Sequence, residues 1–159
     1  MISYGSYGLY SNQAISSSTG NIVVTGVTSS SRGISQDGTT TASAGNITFN
    51  GTINSYDKTS ARTVGMDAGT AIIAINGAVG GNNVLGATSL SANTVNIGAS
   101  GTIAMGSNAL SITTNALDIA ANISGNSTLT IAPKTASTTI GLGTTASGTL
   151  HLSDTELSK

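Results

Sequence analysis

The residues with the best claim to chemistry lie near the end of the 159-residue chain. His151, the only histidine, stands between Leu150 and Leu152, with Asp154 close in sequence. Serine, histidine and aspartate together could relay a proton and activate a nucleophile. A nucleophile elbow is missing, and a histidine flanked by leucines on an alternating strand reads more simply as an outward side chain. The carboxylates Asp37, Asp57, Asp67, Asp118, Asp154 and Glu156 are too dispersed for a paired acid–base site or for the short-period Asp array of calcium-binding nonapeptides. Gly141-Leu-Gly143 is followed by no Gly-Lys-Ser/Thr and reads as a turn, not a phosphate loop. Catalytic, cofactor and metal residues are therefore all assigned as none, and the chain is read as no enzyme.

Other side chains allow binding without chemistry. Tyr4, Tyr7 and Tyr10 repeat every third residue and could offer aromatic faces to sugar, or cap a coil end. Asn50 and Asn76 fit either an amide ladder across stacked coils or simple turn positions. Sequons at Asn46, Asn50, Asn122 and Asn126 are what 14 Asn and 49 Ser plus Thr produce by chance, so they argue for no modification. Threonines that organise water need a Thr-x-Thr file at coil spacing. Thr39-Thr-Thr41 and Thr128-Leu-Thr130 read as isolated, the first in an irregular stretch.

The elements that hold these residues are legible in composition. Only 7% of residues are charged, the net charge is -1, and Ala68 to Leu117 contains no Asp, Glu, Lys, Arg or His. Five scattered basic residues make no phosphate-neutralising stripe, which excludes nucleic acid as a partner. Without cysteine there are no disulfides or thiolate sites. Repeated Gly, Asn, Ser and Thr interrupt every apolar run, so no stretch of about 20 apolar residues can insert as a membrane helix.

Apolar residues recur at i and i+2 in Ile47-Thr-Phe49, Ile73-Ala-Ile75, Val95-Asn-Ile97, Leu110-Ser-Ile112, Leu117-Asp-Ile119, Leu129-Thr-Ile131 and Leu150-His-Leu152. That period of two turns one side-chain set inward and the other outward. The phrases Gly20-Asn-Ile-Val-Val-Thr-Gly26, Gly45-Asn-Ile-Thr-Phe-Asn-Gly51 and Ala71-Ile-Ile-Ala-Ile-Asn-Gly77 resemble one another, and Ile53, Val79, Ile103 and Ile123 continue the series. A unit so short cannot bury its own apolar face, so neighbouring units must stack. The expectation is an all-β, right-handed parallel β-helix, or β-solenoid, with coils of about 20–26 residues and six or seven turns. Asn50-Gly51, Asn76-Gly77, Gly80-Gly81 and Asp37-Gly38 are expected to supply positive φ at its corners.

Residues 1–19 are expected as an irregular segment or cap, 20–153 as solenoid repeats and 154–159 as a tail with a short helix. The stretch Thr28 to Ala44 is expected to be irregular as well. The phrases from Gly45 to Asn54 and Ala71 to Gly81, with Leu129 to Gly143 and Gly148 to Leu157, resemble the repeat regions of filamentous-haemagglutinin-like bacterial exoproteins. That resemblance implies a structural or adhesive segment of a secreted or surface-attached protein, an interior piece of an array at the bacterial cell surface or outside it. Its implied partners are neighbouring repeats, identical copies joined end to end as a filament, or a host or matrix surface, with no cofactor.

Overall fold

The computed structural model describes residues 9–11, 14–25, 34–36, 38–55 and 61–159, side chains included from 14–25, 39–55 and 61–159. The chain winds through three faces per turn. Turn one comprises β1 (Leu9–Ser11), β2 (Ile15–Ser17) and β3 (Ile22–Val24); turn two β4 (Ile34–Gln36), β5 (Gly38–Ala42) and β6 (Ile47–Phe49); turn three β7 (Ile53–Asn54), β8 (Val64–Asp67) and β9 (Ile72–Ile75). In turn four a single bridge residue, Val79, holds the first face before β10 (Thr88–Ser91) and β11 (Thr94–Ile97). Turn five has β12 (Ile103–Ala104), β13 (Leu110–Thr113) and β14 (Ala116–Ile119), and a sixth begins with β15 (Ile123–Ser124) and β16 (Leu129–Ala132).

Every pairing between turns is parallel. The second face is a six-stranded sheet, β2-β5-β8-β10-β13-β16, and the third a five-stranded one, β3-β6-β9-β11-β14. The protein is thus a parallel β-solenoid of five complete turns and part of a sixth, somewhat shorter than expected.

Stacking follows the repeated phrases. Ile22, Ile47, Ile73, Val95 and Leu117 form one inward file on the third face, and Val24, Phe49, Ile75, Ile97 and Ile119 form the next. Ile53, Val79, Ile103 and Ile123 line the first face in register. All these residues are buried except Ile123, which packs against the core from the last turn. Aliphatic side chains suffice because each file is covered by the turns above and below.

The turns are not equal. Equivalent positions lie 25 and 26 residues apart in the first turns but 22 and then 20 apart later. From turn three onward most of the change lies between the first and second faces, where the connection shortens from 55–63 through 80–87 and 105–109 to 125–128; in turns one and two it spans only residues 12–14 and residue 37. Variable corners around constant strands blur the repeat in the sequence while leaving the ladders in register.

Two stretches read as irregular carry strands. β1 and β2 fall within residues 1–19, and β4 and β5 within Thr28 to Ala44. The misleading feature is Thr40, a hydroxyl where alternation demands an apolar residue. Thr40 occupies an inward position between Ile15 and Met66, is 0% exposed, and its Oγ1 has no hydrogen-bond partner among the described residues. A buried unpaired hydroxyl costs about 1–3 kcal/mol. Thr40→Val, nearly equal in shape, is therefore expected to stabilise the chain by about 1 kcal/mol, seen as a higher urea midpoint. A lower midpoint would mean that the hydroxyl is satisfied.

The corners also use glycine differently from the expectation. Among the described residues positive φ occurs at Gly69, Gly80, Gly106 and Gly143. Gly80 meets the expectation, but Gly51 and Gly77 do not, and Gly38 lies within β5. Asp37 is outside the described residues. At Gly77 what excludes a side chain is the neighbouring turn: an added Cβ would overlap the Gly51 carbonyl oxygen and lie 2.5 Å from its carbon.

After β16 the chain makes a short parallel pair, β17 (Ile140–Leu142) with β18 (Leu150–Leu152), and ends in α1 (Asp154–Leu157). Leu150 and Leu152 are buried in the common core, so β18 covers the third face beyond β14. Gly141 is in β17 and not in a turn; an added Cβ there would lie 2.9 Å from Ser147 backbone. No helix among the described residues is long and apolar enough to cross a membrane.

Candidate functional site

Among the described residues polar side chains meet in several places, three of which bear on the candidates above. The first is the set of asparagine files at the corners. Asn76 Nδ2 donates to Asn50 Oδ1 at 2.9 Å, and Asn50 Nδ2 to Thr25 Oγ1 at 3.4 Å. Of the two readings for these residues, the amide ladder is the one formed. Two further files were not foreseen. Asn21 Oδ1 accepts the Asn46 N–H and Asn46 Oδ1 the Ile72 N–H, each bond tying one turn to the next. Asn115 donates to Asn93 Oδ1 and Thr135 Oγ1 and accepts from the Thr135 N–H and Thr138 hydroxyl. The recurrence of Asn at coil spacing was the available signal, obscured by the shortening of the turns.

The second place is the outer surface of the second face. Thr39, Gly65, Ser89, Ser111 and Thr130 form one outward column, and Ser16, Thr41, Asp67, Ser91, Thr113 and Ala132 another. Of the threonines read as isolated, Thr39, Thr41 and Thr130 thus belong to a stacked array of mostly serine and threonine, with glycine, aspartate and alanine interspersed. Lys134 lies across it, its Nζ donating to Ser91 Oγ at 2.6 Å and 3.6 Å from Asp67 Oδ1. An exposed pair of this kind contributes about 0–1 kcal/mol.

The third place is the C-terminal end. His151 Nε2 lies 2.8 Å from the Gly143 carbonyl oxygen. Asp154 instead accepts from the Thr144 hydroxyl at 2.7 Å and from the Thr144 N–H. Ser153 is engaged by Glu156: the Ser153 N–H and hydroxyl donate to Glu156 Oε2, and the Glu156 N–H donates back to Ser153 Oγ. This reciprocal cap starts α1. The Ser-His-Asp trio is therefore drawn into three separate bonding pairs. Glu156 Oε1 also accepts the Ile119 N–H at 3.3 Å, and the Lys159 backbone oxygen accepts the Ile123 N–H at 2.8 Å.

These contacts set the charges of the tail. Burial raises the Glu156 pKa, but hydrogen bonds from Ser153 and the Ile119 N–H, with the nearby His151, outweigh it and hold the carboxyl below its usual value. Asp154 is lowered chiefly by the Thr144 hydroxyl and N–H. A carboxyl lowered on folding contributes stability that is present above its unfolded pKa and lost as pH falls through its folded one. Attachment of the tail is therefore expected to weaken below about pH 4. Amide exchange at Ile119 and Ile123 should rise there before exchange in β9 and β11. Simultaneous loss of all protection would show that the tail is no separate unit.

The remaining candidates are scattered. Asp118 is exposed on the outer side of β14. No three of His, Cys, Asp and Glu come together as a metal site among the described residues. Tyr4, Tyr7 and Asp57 lie outside the described residues, as does the side chain of Tyr10. No family model, curated protein or solved structure matches the chain.

Proposed function

We propose that the chain is a non-catalytic structural and adhesive module, a β-solenoid segment of a large bacterial surface or secreted protein that acts as a spacer or attachment surface. The observation that carries this reading is the uninterrupted parallel register of the strands over five turns, with inward files that are mostly aliphatic and an outer second face that is mostly serine and threonine. Such an object sets distance and presents a repetitive surface. Its corners absorb length changes while the ladders persist, which suits a rod built from tandem units.

Adhesion is tested with beads coated in the purified chain, laid on host cells or extracellular matrix. Retention above that of beads carrying an unrelated solenoid is the expected result. Equal retention removes the attachment role and leaves the spacer.

A second reading, an extracellular filament subunit joined end to end, is favoured by one observation. The outer edge of β16 pairs with no strand among the described residues, and Leu129 on that strand is 45% exposed. An open edge of this kind invites another strand.

A further inference from the structure

We propose that Asn76 is a self-modification site, losing its side-chain amide to attack by the Gly77 nitrogen, and that Asn50, the same dipeptide one turn below, is protected by the amide ladder. This chemistry is independent of the structural and adhesive roles.

An asparagine followed by glycine is prone to cyclise, because glycine carries no Cβ to hinder the approach of its nitrogen. The Gly77 nitrogen gives up its proton to a base in solvent and bonds to Asn76 Cγ. The Cγ–Nδ2 bond breaks, the departing nitrogen takes a proton from solvent and leaves as ammonia, and a five-membered succinimide closes. Water then adds to either imide carbonyl and reopens the ring as aspartate or isoaspartate. One water is consumed and one ammonia released, with nothing oxidised or reduced. Of the 14 asparagines two are followed by glycine, Asn50 and Asn76.

The fold stacks these two on each other. Thr25, Asn50, Asn76 and Gly98 follow the third-face strands of four successive turns, and the N–H groups of Asn50, Asn76 and Gly98 donate to the carbonyls of Val24, Phe49 and Ile75. Both asparagines are exposed, so water and base reach either one. What separates them is the ladder. The Asn50 amide is held on both sides, its Nδ2 donating to Thr25 Oγ1 and its Oδ1 accepting from Asn76 Nδ2. Asn76 is held on one side. Toward the next turn it faces Gly98, which has no side chain to bond it and whose added Cβ would lie 3.0 Å from Asn76 Oδ1. Cyclisation requires Cγ to swing out of the ladder toward the following nitrogen, so Asn76 breaks one of these bonds and Asn50 two.

Sterics keep the reactive dipeptide in place, since an added Cβ at Gly77 would overlap the Gly51 carbonyl. The product is a carboxylate at position 76, the first charge in the stretch from Ala68 to Leu117. A carboxylate only accepts hydrogen bonds. Asn50 therefore turns its amide to donate to position 76, and the Thr25 hydroxyl donates to Asn50 Oδ1. The ladder reverses its direction and persists.

The test ages the full chain at mildly alkaline pH and body temperature, folded in buffer and, in parallel, unfolded in concentrated urea, with circular dichroism confirming each state. Tryptic mapping by mass spectrometry follows the conversion of amide to acid, and cleavage at Lys58 and Arg62 puts the two sites on separate peptides. In urea both are expected to convert at one rate. In the folded chain Asn76 is expected to convert while Asn50 lags about two- to tenfold, the factor carried by one side-chain hydrogen bond. Thr25→Val removes the second bond on Asn50 and should bring it to the Asn76 rate.

Equal rates at the two sites in the folded chain overturn the proposal. So does a folded chain in which Asn76 stays intact while the urea sample converts. Unequal rates in urea overturn it as well, by placing the difference in the neighbouring sequence and not in the ladder. Should Thr25→Val fail to fold, the folded and unfolded wild-type samples decide alone.

Discussion

Ile75→Asp unfolds the chain, whereas Thr48→Asp leaves it folded. Ile75 is 1% exposed and sits between Phe49 and Ile97 in an inward file. Burying an aspartate there forfeits about 2 kcal/mol of apolar burial. It must also desolvate a carboxylate or protonate it against its normal pKa, for several kcal/mol more. The sum rivals the entire stability of an ordinary domain, about 5–15 kcal/mol. Thr48 lies on the other side of the same sheet between Val23 and Ala74, half-exposed, and its aspartate keeps its water. Substitutions at such surface positions usually fall within about 0.5 kcal/mol. Urea unfolding followed by circular dichroism separates the two, and equal midpoints would sink the inside–outside assignment.

Gly77→Ala is expected to cost more than about 3 kcal/mol, and Gly81→Ala, four residues on, almost nothing. At Gly77 the new methyl overlaps the carbonyl of Gly51 in the turn below. Because the obstacle is backbone, no rotamer relieves it. Relief requires the turns to separate beside the bonds Asn76 N–H to Phe49 O, Ile53 N–H to Ala78 O and Gly80 N–H to Ile53 O, all 2.7–2.8 Å long. A methyl at Gly81 meets only Ala78 Cβ, at 3.8 Å, an ordinary contact. Hydrogen exchange should show the damage of Gly77→Ala centred on turns three and four. Matching stabilities for the two variants would mean that the turns do not approach as closely as described.

Both predictions rest on features that differ in how they are written in the chain. The inward position of Ile75 follows from the alternation Ile73-Ala-Ile75 and from its kinship with Ile47-Thr-Phe49. The reason for Gly77 does not: Asn-Gly reads locally as a turn needing positive φ, and only the turn below reveals that the space is occupied. Leu129-Thr-Ile131 errs in the opposite direction. Its alternation matches that of Leu110-Ser-Ile112, yet Leu129 remains exposed because no turn follows to cover it. Asp154 looks like a reactive partner for His151, and the fold instead binds it to Thr144, while Ser153 and Glu156 cap α1.

From its sequence alone this protein is a parallel β-solenoid with Ile, Val and Leu files inside, because side-chain direction in a strand depends on the residue's own parity and repeats survive small changes in length. Only the tertiary structure decided which residues stack, that Thr40 points inward unpaired among the described residues, that Asn93 and Asn115 join a ladder, that serines and threonines from five turns share one face, and that Glu156 and Lys159 accept the N–H groups of Ile119 and Ile123 in the last turns. The stacking depends on a neighbour some 20–26 residues away across corners of unequal length, and the tail on partners 36 and 37 residues away; no local pattern carries those distances.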